Sequence, residues 1–520
     1  MNNKTVFRGV FLLVILGAFL FRLVLLDLRP MHHDEANQAV KFGNLLEKGE
    51  YLYDKNDHHG PSLYYLSLPI AWIFSGTKFA SINEFTLRLI PVAFGVGLIL
   101  LLLLLKGGLC REAVVFAGLF AAISPSMVFF SRFYIQEILF VFFILGAIAS
   151  GWRYTRNRSP GWAAAAGFFA GMMFTTKETC IIAFGAILGA LFLTWVFQKG
   201  SSSPIKPFSW TCIAHLLLVL GAAGVVSWLM YSSFFQNPKG PLDSVLAFGT
   251  YFGRAGEAGL HSHPWYYYLK MLTFSQYGTG PVWSESLILV LALVGSISAF
   301  SAKSKEDLSP LFIRFIFFYT LLATAVFSLI PYKTPWNLLP FYIGFILLAG
   351  NGASFIIKAC KNMFFRGAVV LVIGFGIFNL GMQSYKANFK FYADPRNPYV
   401  YAQTSTDFMN LVKRINDLAL LHQDHKQMLI KVITNPDETW PLPWYLRSFG
   451  RVGYWQKVDA AGDLAEIPVI ISSIDKMDDL RPLLQDNYQS EYFGLRPEVL
   501  LAVHIKRDLW DDFLQRQAVR

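Results

Sequence analysis

At 520 residues the chain is long enough for three or four soluble domains, but its composition excludes them. AVILMFWYC supply 54% of it and only 15% is charged, at a mean hydropathy of +0.42. A globular chain is about 25% charged, so a cytosolic enzyme, a disordered scaffold and a nucleic-acid-binding module are ruled out. The net charge of +11 is unevenly placed: from Tyr385 onward there are 17 Lys+Arg against 18 Asp+Glu, so the excess lies in the apolar part, where it reports orientation.

A spanning helix needs about 20 mostly apolar residues. About eleven such runs occur in chain order, centred on 8–28, 86–105, 112–130, 138–153, 162–176, 180–197, 210–230, 282–300, 311–329, 338–357 and 367–384. The first is too long for a removable signal peptide and lacks a small-residue cleavage site, so it reads as an anchor. The connecting loops alternate. One set is short and basic: Lys4/Arg8, Lys106/Arg111, Arg153/Arg156/Arg158, Lys199/Lys206, Lys303/Lys305 and Lys358/Lys361/Arg366. The positive-inside rule makes it cytoplasmic. The other set includes a first outer loop, 29–85, and a large one, 231–281. An odd number of crossings then places the polar C-terminal region outside. The expected architecture is an α-helical polytopic membrane protein, 1–384, followed by an extracytoplasmic α/β domain, 385–520. In that domain strands are expected at Met428–Thr434, Pro468–Ser473 and Val499–Ile505, with amphipathic stretches at Thr406–Leu421 and Lys476–Tyr488. The four cysteines lie in or beside apolar runs, so no disulfide framework or zinc spacing is present.

The first outer loop concentrates chemistry. Asp34 and Glu35 follow the first span directly, and the apolar pattern from Ala36 to Leu46 predicts an amphipathic helix along the interface. A carboxylate at its start either caps the helix or acts on substrate. His32, His33, His58 and His59 share the loop, and His261 and His263 share another. With Glu35, the pair His32-His33 could hold Mg, Mn or Zn, or serve as plain interfacial polar residues. In Ser131-Arg132-Phe-Tyr-Ile-Gln-Glu137 an ionisable residue opens an apolar span, which is expensive unless functional, with Arg132 as its candidate partner. Arg88, Lys177 and Lys333 add cations at the same face. Carboxylates able to take a proton, beside cations able to hold a phosphate, suit an amphiphilic phosphate near the headgroups. Trp440-Pro-Leu-Pro-Trp444-Tyr445 either touches an acceptor, as His58 and His59 could, or anchors the polar domain; its prolines forbid a regular helix.

The order of Asp34-Glu35-Ala36, His59-Gly60-Pro61, Leu87-Arg88-Leu89, Ser131…Glu137, Gly171…Lys177 and Pro331-Tyr-Lys333 along this topology resembles the C-type membrane glycosyltransferases. Within them it is similar to the protein O-mannosyltransferase and aminoarabinose-transferase branch, and to the prokaryotic relatives termed flippase-activity-associated. The resemblance implies a multi-pass protein of a prokaryotic cytoplasmic membrane. It implies inverting transfer from a polyprenyl-phosphate-linked sugar to a glycan, protein or lipid hydroxyl. Asp34 takes the catalytic acidic position and acts as base, Glu137 takes the second acidic position, and Glu35 supports. Arg132, Lys333, Arg88 and Lys177 are then the donor-phosphate candidates. The rival expectations are a component that moves a lipid-linked glycan without bond chemistry, and a non-catalytic member of the same fold.

Overall fold

The computed structural model describes residues 4–56, 59–198, 210–255, 261–301 and 308–518. The basic positions Lys199, Lys206, Lys303 and Lys305 lie outside the described residues, as does His58. The chain opens with α1 (Lys4–Leu23), the amphipathic α2 (His33–Lys48) and α3 (Ser62–Phe74). Then come α4 (Glu84–Leu101), α5 (Arg111–Ile123), α6 (Pro125–Phe130), α7 (Glu137–Asn157), α8 (Pro160–Phe174) and α9 (Cys180–Val196). The second half of the membrane part holds α10 (Trp210–Tyr231), α11 (Gly240–Ala255), α12 (Tyr267–Thr273), α13 (Ser286–Ser301), α14 (Pro310–Leu329), α15 (Leu339–Ala359) and α16 (Met363–Tyr385).

Every expected apolar run is helical, but not every run is one long helix. Among the described residues seven helices are long and apolar enough to cross a membrane, and three shorter apolar ones, including α3, α9 and most of α13, accompany them. The run 112–130 is broken at Ser124-Pro125. Proline cannot donate its missing N–H to the α5 ladder, and the Ser124 hydroxyl accepts Met127 N–H to start α6 afresh. Proline at the first turn likewise starts α8 and α14. Where α13 crosses α15, a Cβ on Gly295 would lie 2.0 Å from Leu348 O and one on Gly352 1.9 Å from Leu291 O. Glycine at both positions is what lets the two backbones touch.

The loops sort to two faces. On one, Lys358 Nζ meets Glu112 Oε2 at 2.9 Å and Ser309 N–H donates to Gly108 O. On the other, the first outer loop, the turns at 131–137 and 175–179, the loop 330–338 and the C-terminal domain meet one another.

The C-terminal domain contains α17 (Phe408–Ala419), β1 (Ile430–Ile433), the short α18 (Leu442–Tyr445), β2 (Val452–Trp455), β3 (Val469–Ser473), α19 (Met477–Leu484), β4 (Tyr488–Arg496), β5 (Val499–Lys506) and α20 (Arg507–Ala518). The strand order is β2-β1-β3-β5-β4; β1 pairs in parallel with β2 and β3, and β5 runs antiparallel to β3 and β4. Ile430, Val432, Ile471 and Val503 pack with Leu411, Ile415 and Phe513 on one face, and Ile433, Ile470, Leu480 and Leu484 form a second core on the other. β3 is buried on both sides, hence its unbroken apolar run.

His504 is fully enclosed in β5 between the hydroxyls of Ser472 (3.1 Å) and Ser490 (2.8 Å). Burial pushes its pKa down to about 4 from 6.5. The unfolded chain takes up a proton as pH falls through 6.5 and the folded domain does not until about 4, so stability is intact above the first value and drains away towards the second. The loss is about 3 kcal/mol at 1.36 kcal/mol per pKa unit. Proteolytic susceptibility of the whole protein should therefore rise between pH 7 and pH 4.5, and His504→Asn should flatten that rise.

Candidate active site

The end of α1 sets the site. Arg29 through His32 cross from α1 to α2, and His32 is the helix N-cap: its Nδ1 accepts Asp34 N–H at 3.0 Å, while Glu35 Oε2 accepts His32 N–H at 3.1 Å. This is a capping box with histidine at its head. The cap is therefore His32 with Glu35, and Asp34 is released from that duty. Asp34 Oδ2 is 3.8 Å from His32 Nδ1, but a nitrogen that accepts an N–H carries no proton there, so the two do not form an ion pair.

The adjacent carboxylates diverge, as a 100° step per residue requires. Glu35 is fully buried and gripped by Arg88, Nε to Oε1 at 2.8 Å and Nη2 to Oε2 at 2.7 Å, with Tyr134 N–H adding a third bond at 2.8 Å. Burial alone would raise the Glu35 pKa; the paired guanidinium and the peptide N–H overcome it and hold the carboxyl below its ordinary range. Asp34 instead stands in the wall of a cavity of about 450 Å³ with 37% of its side chain exposed.

Glu137, the first residue of α7, lies in the same wall and ion-pairs with Lys177, whose Nζ also donates to Asn337 Oδ1 at 2.9 Å. Lys177 thus ties the turn after α8 to α7 and to the loop before α15. His59 reaches the cavity because Gly60 lies against the next turn, where a Cβ would be 2.2 Å from Thr175 O, and Ser62 N–H donates to that oxygen at 3.1 Å. His59 Nδ1 is 2.7 Å from Glu178 Oε2 and 3.1 Å from the Tyr251 hydroxyl. One side of the wall is apolar, with Ile181 and Ile182 of α9, Val326 and Phe327 of α14, and Phe248 of α11, while Gln136, Thr179 and Thr334 add polar groups.

Three of the four cations expected to hold phosphate are committed elsewhere. Arg88 is fully buried and, besides Glu35, donates to the carbonyls of Leu26 (2.6 Å) and Arg29 (2.8 Å). Arg132 caps the C-terminal end of α1, donating to Arg22 O, Val24 O and Leu25 O at 2.7–2.8 Å, rather than pairing with Glu137. Lys333 donates to His263 O at 2.9 Å and to Ile330 O. Orphan carbonyls at helix ends demand donors, and these side chains supply them. Only Lys177 of the four lines the cavity.

The metal set also fails to assemble. His32 Nδ1 accepts a peptide N–H, so its Nε2 carries the proton and donates to Tyr401 O at 2.9 Å, and Glu35 spends both oxygens on Arg88. His33 faces Trp440 at 6.0 Å between ring centroids, and burial lowers its pKa. Among the described residues no three His, Cys, Asp or Glu side chains converge as a metal site.

Trp444 and Tyr445 are anchors. Trp444 is fully buried, donates to Glu84 Oε1 at 2.9 Å and lies beneath the Arg447 guanidinium at 3.7 Å; Tyr445 OH accepts Met31 N–H at 2.9 Å. Gln403 and Thr404 hold the carbonyls of Pro30 and Met31 at 2.9 and 2.7 Å. The C-terminal domain thereby fixes the loop that carries Asp34. Sequence reasoning missed Glu178, though it adjoins Lys177 in Thr176-Lys-Glu-Thr179, and it missed Gln136 and Asn337, which have no charge to draw attention. It also missed Glu285, a buried knot accepting from Ser124, Ser126, Tyr342 and Tyr399 at 2.6–3.1 Å.

This helical bundle with its polar cavity under a small sheet domain has the fold of the C-type polytopic membrane glycosyltransferases. ArnT from Cupriavidus metallidurans bound to undecaprenyl phosphate aligns over 96% of this chain and 98% of its own, at 14% identity and a TM-score of 0.62. The oligosaccharyltransferase AglB from Archaeoglobus fulgidus, in complex with an inhibitory peptide and a dolichol-phosphate, aligns over 98% of this chain and 77% of its own, at 14% identity and a TM-score of 0.57. Residues 12–237 match the family model of dolichyl-phosphate-mannose-protein mannosyltransferase. No curated protein matches the sequence. The chain thus has the fold of these polytopic membrane proteins, and its first half resembles the mannosyltransferase family model.

Proposed function

We propose that this protein transfers a sugar from a polyprenyl-phosphate donor to an acceptor hydroxyl, with inversion, on the outer face of a prokaryotic cytoplasmic membrane. The observation that carries the reading is one cavity that joins a part-exposed carboxylate, Asp34, to a lysine, Lys177, and to an apolar wall between α9 and α14. The apolar wall suits the lipid chain. Lys177 has three N–H donors; Glu137 and Asn337 take two, and the third serves the donor phosphate. Asp34 removes the acceptor's proton as its oxygen attacks the anomeric carbon. The carbon–oxygen bond to phosphate breaks on the opposite side, and polyprenyl phosphate leaves with its charge held by Lys177. The basic loops on the opposite face support an orientation with the sheet domain outside the cell. The acceptor, whether glycan, protein or lipid, enters beside His33 and Trp440.

The test is transfer by the purified protein from synthetic polyprenyl-phosphate hexose. Transfer should occur, free polyprenyl phosphate should compete with the donor, and a nucleotide sugar should do neither. Transfer from the nucleotide sugar would refute the donor assignment.

A further inference from the structure

We infer that Gln136, with Glu137 and Thr334, reads the hydroxyl groups of the donor sugar, and that this sugar is a neutral one; the inference rests on the donor reading proposed above. Buried polar atoms without a partner are rare, because each forfeits its bonds to water and gains none in return, and each calls for an explanation. Five of the fourteen such atoms among the described residues belong to one cavity wall. Among the described residues Gln136 Oε1 and Nε2, Glu137 Oε2, Thr334 Oγ1 and Thr179 Oγ1 have no hydrogen-bond partner, and all four residues stand in the wall of the Asp34 cavity.

Gln136 is the clearest of them. It is fully buried, and it holds the N-cap position of α7, where a polar side chain ordinarily bonds the helix start, yet it makes no capping bond. Both ends of its amide are therefore held in reserve. Glu137 is half used: Lys177 occupies Oε1 and leaves Oε2. Lys177 also reaches Asn337, whose N–H donates to Thr334 O at 3.1 Å, so the two walls are fastened around the same spot.

The mixture identifies the ligand chemistry. An amide oxygen and a carboxylate oxygen accept, an amide N–H donates, and the threonine hydroxyls do either. A phosphate, or the carboxylate of an acidic sugar, only accepts, and would set its lone pairs against Glu137 Oε2 and Gln136 Oε1. An ammonium only donates and would leave the Gln136 N–H bare. A hydroxyl does both, and two neighbouring hydroxyls satisfy a carboxamide at both ends. The sugar ring is thus placed beside the phosphate that Lys177 holds.

The experiment compares the full-length protein with Gln136→Leu, in lipid nanodiscs, for binding of polyprenyl-phosphate hexose and of polyprenyl phosphate alone. The hexose lipid should bind roughly 10- to 100-fold more weakly to the variant, the worth of one or two hydrogen bonds, and the bare phosphate should bind equally to both proteins. The melting temperature without ligand should hold or rise, because leucine replaces an amide that makes no bond. Gln136→Asn should fold and lose affinity for the hexose lipid in the same direction. Equal affinity of wild type and variant for the hexose lipid, or a lowered melting temperature, would overturn the role of Gln136. Tighter binding of an amino or acidic sugar lipid than of the hexose lipid would overturn the neutral assignment. A wild-type protein that does not bind polyprenyl phosphate at all would instead bring down the donor reading itself.

Discussion

Asp34→Asn is expected to lower sugar transfer by roughly 10²–10⁴-fold, the worth of a positioned base, or about 3–5 kcal/mol in barrier. The protein should keep its fold. Had Asp34 been the N-cap of α2, the substitution would have been mild in activity and visible in stability. His32 and Glu35 carry the cap instead, and the Asp34 side chain is part-exposed in the cavity wall. Asparagine keeps the size and polarity of the group and removes only its ability to take a proton. Rates of transfer from a synthetic donor, together with melting temperatures, separate the two roles in one pair of proteins.

Glu35→Gln is expected to do the reverse. It removes the charge opposite a fully buried arginine, and breaking a buried pair on one side costs about 3–5 kcal/mol. The amide cannot accept on both of its heavy atoms: with its oxygen at the Oε1 place it loses Arg88 Nη2 and the His32 N–H, and with it at the Oε2 place it loses Arg88 Nε and the Tyr134 N–H. The expected result is a lowered melting temperature and less monodisperse protein after extraction, with residual activity scaling with the folded fraction. Arg88→Met should resemble it, since it also strips donors from Leu26 O and Arg29 O. The double variant should cost less than the sum, because the two residues act on each other. A Glu35→Gln protein as stable as wild type would contradict this account of the pair. Two neighbouring carboxylates are thus set apart, Glu35 paired and buried, Asp34 part-exposed in the cavity wall.

Much of the membrane part was legible from hydropathy, because a lipid-facing helix has no alternative to a long apolar run. The lengths of the helices were less so. The Ser124-Pro125 break is visible as a motif only once proline is read as an N-terminal residue, and α3 was absorbed into the outer loop because Tyr64, Tyr65 and Pro69 dilute its apolar signal. In the C-terminal domain β1, β3 and β5 are buried and apolar, so composition marks them. β4 faces solvent along part of one side and reads as polar, β2 is a four-residue edge, and α20 buries only Leu509 and Phe513.

Asp34, Glu137 and Lys177 share one cavity wall, whereas Arg88, Arg132 and Lys333 are spent elsewhere and Glu178 drew no attention in the sequence. The sequence shows a charge near the outer face but not the carbonyl that will consume it, and the partners of Arg88 and Arg132 lie 53 and about 110 residues away. Every helix end nearby leaves acceptors, and long cations are the side chains able to reach them. Trp444 and Tyr445 are spent in the same way: a tryptophan near two prolines offers area and one N–H, and Glu84 takes it. Trp440 is less buried and faces His33.

The most direct test of the central claim follows the donor itself. Purified protein in vesicles is given polyprenyl-phosphate hexose with the sugar isotopically labelled, together with an envelope extract as acceptor, and the products are read by mass spectrometry and NMR. The account predicts free polyprenyl phosphate and glycosylated acceptor in equal amounts, with the anomeric configuration of the product opposite to that of the donor, and neither product from Asp34→Asn. Intact donor recovered on the opposite leaflet, with no polyprenyl phosphate released, would contradict it and make the protein a mover of lipid-linked sugar.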